Sequence, residues 1–154
     1  MIRQFFFFFL LTTFLFSETR NIALDKLLKT DLKIKKRTFT IWLALNPLQQ
    51  KEGLSFIEDK NLSNREGMLF IYPISEKRNF WMKNTLIDLD IAFIKTDGSI
   101  AQIYSMKRMS EKKFSSKEKV RYVLELKEGI FKEIPLHIGD KISFSKEIID
   151  FSNP

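Results

Sequence analysis

A chain of 154 residues with 44% apolar and 29% charged residues and a mean hydropathy of −0.15 has the size and composition of one folded domain, neither disordered nor membrane-embedded in bulk. It has no cysteine and one histidine, His137, which excludes disulfides, thiolate nucleophiles, a cysteine-held zinc and any His-cluster centre within one chain. Carboxylates, amines, amides and aromatic rings remain, and neither a metal nor a cofactor is expected.

Seven of the sixteen phenylalanines fall within the first seventeen residues, where Met1-Ile2-Arg3-Gln4 precedes an apolar run from Phe5 to Phe16. A positive start, a short apolar centre and the small residue Ser17 at its exit form an export-signal pattern over residues 1–17. A membrane anchor needs about 20 apolar residues, and this run is only twelve residues long. Cleavage near Ser17 would deliver a periplasmic or secreted protein, although Leu15 departs from the small-residue rule three positions before the cut. The net charge of +7 is uneven, with basic clusters over residues 18–37 and 105–121. Neither interleaves stacking aromatics with its cations, so nucleic acid is not an expected partner; the clusters read as solvated loops, with weak contact with an anionic membrane surface as the lesser reading.

Residues 18–31 read as a variable lead-in with a short helix through Ile22, Leu24, Leu27 and Leu28, and the domain is expected over 32–146 with a tail at 147–154. From Leu32 to Leu45 the apolar residues alternate as in a strand. Asn46-Pro47 and Gly53 bracket a two-turn helix. Met68 to Tyr72 reads as a buried strand stopped by Pro73. Leu89–Ile94 and Ile100–Tyr104 form a hairpin through Asp97-Gly98, and residues 107–119 a lysine-rich loop. Val120 to Leu126 alternates, with Tyr122, Leu124 and Leu126 facing one way and Arg121, Val123 and Glu125 the other. Gly139-Asp140 opens a last strand, Ile142 to Phe144. Short strands, frequent turns and little helix predict a β-rich α+β fold: a compact, mostly antiparallel, barrel-like single domain with one or two short helices.

The most unusual segment is Phe80-Trp81-Met82-Lys83-Asn84-Thr85-Leu86-Ile87-Asp88-Leu89-Asp90-Ile91-Ala92-Phe93. It resembles the hallmark of domain of unknown function family 192. The likeness runs from Phe39 to Phe144 and takes in Gly53-Leu54, Gly67-Met68-Leu69-Phe70, Asp97-Gly98, Tyr122-Val123-Leu124-Glu125-Leu126, Gly129 and Gly139-Asp140 in order. The resemblance implies a small β-barrel-like fold with short helices, often exported, without an agreed activity. Where the family has methionine and arginine soon after Gly53-Leu54 this chain has Ser55 and Phe56-Ile57, and Asp88 stands where the family has proline.

In this segment Trp81 and Met82 offer polarizable surface, Lys83 a cation and Asn84 an amide. Asp90 and Glu125 sit within apolar strands and must find partners or neutralise. The expectation is that Lys83, Asn84, Asp90 and Glu125 converge near Trp81 at a barrel mouth and bind a small molecule or an envelope protein. The alternative function is an enzyme using Lys83 with Asp90 or Glu125 as acid and base, although no nucleophile–base pair stands out. A weaker alternative is surface attachment through the basic clusters. The structural readings are Trp81 in the core, Lys83 in an ion pair, Asn84-Thr85 at a turn, Asp140 capping the Gly139 turn, and His137 half-buried in a strand.

Overall fold

The computed structural model describes residues 19–151; the export signal expected over residues 1–17 lies outside them. The elements in chain order are β1 (Lys29–Ile34), β2 (Arg37–Ala44), α1 (Pro47–Glu52), β3 (Glu66–Glu76), β4 (Asn79–Phe80), β5 (Leu89–Ile94), β6 (Ile100–Met106), β7 (Phe114–Ser115), β8 (Val120–Lys127), α2 (Ile130–Glu133) and α3 (Lys146–Phe151). Six strands form one sheet in the order β1-β2-β3-β8-β5-β6, and β4 and β7 form a two-stranded ribbon. Every pairing is antiparallel except β2 with β3. The β-rich single domain expected from the sequence is the fold found.

The alternation from Leu32 to Leu45 belongs to a hairpin. Leu32 and Ile34 occupy even positions and Phe39, Ile41 and Leu43 odd ones, and the turn at Lys35-Lys36 absorbs the change so that all five enter one core. The sheet is buried on both faces. Met68, Phe70, Ile91, Phe93 and Val123 project into a first core with Trp42, Leu54 and Met82. Leu69, Ile71, Ala92, Ile94, Leu124 and Leu126 project into a second, covered by Ile130 and Phe131 of α2 and Ile148 of α3. Double coverage explains the nearly unbroken apolar runs of β3, β5 and β8.

Several boundaries differ from the sequence reading. Pro73 does not stop β3, because the β3–β8 register shifts between Ile71 and Glu76 and the exposed proline sits in that irregular stretch, where no ladder donor is required. The lead-in is part of the packing, since β1 begins at Lys29 and Leu27 is buried in the first core. The tail includes α3, whose Ile148 is fully buried. Ile142–Phe144 form no strand, and only an isolated bridge joins Lys141 to Ser99. His137 is exposed in a loop rather than half-buried in a strand. Its backbone N–H donates to Asp140 Oδ2 at 2.9 Å, the capping role expected of that aspartate.

Candidate functional site

The α1 helix forms where the sequence places it. Asn46 Oδ1 accepts from the Gln49 N–H at 3.0 Å, Pro47 opens the first turn, and Gly53 at φ +51° ends it. Gln50 ties the helix to the sheet by donating to the Ile71 carbonyl at 2.8 Å. Between the end of α1 and the first-core face of the sheet lies a cavity of about 160 Å³. One lip is Gln50 to Ser55, the wall is Phe70 and Tyr72 of β3, the opposite lip is Asn79 to Trp81 with Thr85, and Glu125 of β8 lies at the base.

Glu125 is 4% exposed, opposite Met68 on β3 and Ile91 on β5. No described residue hydrogen-bonds to its carboxyl or pairs with it. Burial alone pushes its pKa up to about 8, so the acid holds its proton at neutrality. Beside it Tyr72 is pushed up to about 12, chiefly by burial, with the Arg78 guanidinium opposing and Glu125 adding to the rise. That guanidinium lies 3.8 Å from the Tyr72 ring centroid. The T-shaped contacts of Phe80 with Phe70 and Phe93, at 4.9 and 5.7 Å between centroids, hold the second lip against the sheet.

A second buried acid borders the cavity. Glu52 accepts hydrogen bonds from the Asn21 and Ile22 N–H groups, the latter at 2.9 Å. Arg20 donates to the carbonyls of Gly53 at 2.7 Å and Ser55 at 3.1 Å. Residues 20–22 therefore form a strap that stiffens the first lip.

Of the residues expected to converge, Trp81 and Glu125 border this cavity, and Lys83, Asn84 and Asp90 do not. Trp81 is not core; it is 52% exposed at the mouth. Lys83 is exposed, its ammonium 5.7 Å from the Trp81 ring centroid. Asn84 occupies the left-handed region at φ +59°, which asparagine tolerates, and its carbonyl accepts from the Phe56 N–H at 2.8 Å. The expected joint site fails at Asp90. In the β5–β8 ladder Asp90 pairs with Leu126 and Ile91 with Glu125, which sets the two acids on opposite faces of the sheet. Asp90 accepts from Ser105 Oγ at 2.6 Å and from the N–H groups of Gly129 at 2.8 Å and Phe131 at 3.2 Å. It is a structural cap for the turn into α2. Asp88, the departure from the family proline, accepts from the Arg108 N–H at 2.7 Å and Lys107 Nζ at 3.0 Å, and the first bond above all holds its carboxyl below the usual range.

The sequence reading missed Arg20, Gln50, Glu52, Phe70, Tyr72, Phe80 and Thr85 as site residues. One signal was present: an acid at the C-terminal end of a short helix opposes the helix dipole, so Glu52 had to answer to donors from elsewhere. A second depression, of about 470 Å³, is bordered by Lys35, Lys36, Arg37 and Arg65 with Glu133, Ile134 and Pro135. Lys35 is paired with Asp140 and Arg37 with Glu133, each at 2.8 Å. Among the described residues no group of three or more His, Asp or Glu side chains is placed to hold a metal ion.

A solved structure of a proposed transcription regulator from Sinorhizobium meliloti is similar to this chain at 34% identity and a TM-score of 0.66, covering 73% of this chain and 88% of that one. A protein of unknown function from Novosphingobium aromaticivorans is similar at 26% identity and a TM-score of 0.68, covering 77% and 85%. No curated protein matches. The family described as "Uncharacterized ACR, COG1430" matches residues 30–144, and the chain belongs to that family, DUF192.

Proposed function

We propose that the domain is an exported small-molecule binding module whose ligand occupies the cavity between α1 and the Phe80-Trp81 turn and meets Glu125 at its base. The observation that carries this reading is a buried carboxyl without a partner among the described residues, bordering an open volume. A polar group so placed is costly unless a ligand or water completes its hydrogen bonds. A small concave site that sets aromatic side chains, here Phe70, Tyr72, Phe80 and Trp81, beside convergent polar groups is a common form of ligand pocket. The export half of the proposal rests on the sequence pattern of residues 1–17. Acid–base catalysis by Lys83 with Asp90 or Glu125 lacks support, because Asp90 faces the other side of the sheet and Lys83 is exposed outside the cavity.

Native mass spectrometry of the full chain tests the reading. A retained small molecule is expected on the wild-type protein and not on a folded Glu125→Gln variant. A molecule retained equally by both, or none retained by either, would defeat it.

A further inference from the structure

Building on the reading of this cavity as a ligand site, we infer that its ligand is a compact organic cation, an ammonium group on a small alkyl body. Four residues of its wall and mouth are aromatic, Phe70, Tyr72, Phe80 and Trp81, and aromatic faces attract cations. Tyr72 and Trp81 already face cations of the chain itself, Arg78 and Lys83, so Phe70 and Phe80 are the rings left to meet a ligand cation. The buried ionisable groups of the lining other than Tyr72 are both acids, Glu52 and Glu125, whereas the basic one, Lys51, is exposed.

Glu52 is engaged by the N–H groups of Asn21 and Ile22, which leaves Glu125 as the acid able to pair with a ligand. The other charged or titratable groups on that face of the sheet are committed. Tyr72 keeps its proton beneath Arg78. Arg121 donates from Nε to the Tyr72 carbonyl at 3.2 Å, and Lys127 pairs with Asp59 at 2.7 Å. From β5 the facing neighbour is Ile91, and from β3 it is Met68. The described residues thus supply no counter-ion to Glu125, and a buried carboxylate needs one. A volume of about 160 Å³ is close to the roughly 150 Å³ that accommodates benzene in an apolar cavity. On binding, the Glu125 O–H bond breaks, the proton passes to solvent, and the carboxylate pairs with the ammonium.

Isothermal titration calorimetry of the full chain near neutral pH, in phosphate and in HEPES, a bulkier zwitterion, would compare tetramethylammonium with tert-butanol, a neutral probe of similar size. The two buffers differ in protonation heat and therefore report proton release. Tetramethylammonium is expected to bind at least roughly tenfold more tightly, to release up to one proton per site, and to gain affinity as pH rises toward about 8, the Glu125 pKa. Glu125→Gln should abolish both the preference and the release. Phe80→Leu, which keeps the acid, should weaken the cation several-fold with proton release intact. Equal binding of tert-butanol, binding of the cation without proton release, or binding of neither probe would overturn the cation class. The mass-spectrometric comparison reports separately on whether the cavity holds any ligand, so the two readings can fail independently.

Discussion

Glu125 makes the stability of the protein depend on pH in an unusual direction. Its folded pKa of about 8 lies above the ordinary 4.5, so the folded state binds the proton more tightly than the unfolded one. The stabilisation is complete below about 4.5 and is lost as pH rises toward 8. Glu125→Gln, which keeps the shape without the titration, should match wild type in thermal unfolding near the lower value. Above the upper one it should exceed wild type by on the order of a few kcal/mol. Parallel melting curves across that range would contradict the assignment. Asp90 and Glu125 look alike in the sequence, each an acid in an apolar strand. What separates them is inter-strand register, the pairing of Ile91 rather than Asp90 with Glu125, which neither strand specifies alone.

Elements with local signals were legible: α1 from Asn46-Pro47 and Gly53, the β5–β6 hairpin from Asp97-Gly98, and the two-faced alternation of β8. The β4–β7 ribbon was not, because strands of two residues carry no periodicity. Half of the cavity mouth therefore went unread, for β4 is what seats Phe80 beside Trp81. The turn into α2 depends on one side chain from another strand. Asp90→Ala would leave the Gly129 and Phe131 N–H groups and the Ser105 hydroxyl without their acceptor. The expected loss is about 1–3 kcal/mol in denaturant unfolding. Tetramethylammonium binding should survive in the folded fraction, because Asp90 lies across the sheet from the cavity.

At the scale of the molecule, a sheet with hydrophobic cores on both faces holds the base and wall of the cavity, while its lips come from the end of α1 and from β4 with the residues that follow each, the first lip being tied down by the segment before β1. Glu52→Ala would remove the acceptor that ties down residues 20–22. Hydrogen exchange at the Asn21 and Ile22 amides is expected to accelerate at least roughly tenfold, with β8 unchanged; unchanged protection of those amides would show that the strap is held by other means.

The parallel pairing of β2 and β3 has a kinetic consequence. Two strands running the same way require a return path across the sheet, and here that path, residues 45–65, carries one whole lip of the opening. Widening the opening means bending this crossover while both of its ends stay anchored in the sheet, against the added grip of Arg20 on Gly53 and Ser55. On the proposed ligand reading, substitutions in that bridge are expected to change an occupant's residence time more than substitutions at the acid below it, which are expected to change its affinity.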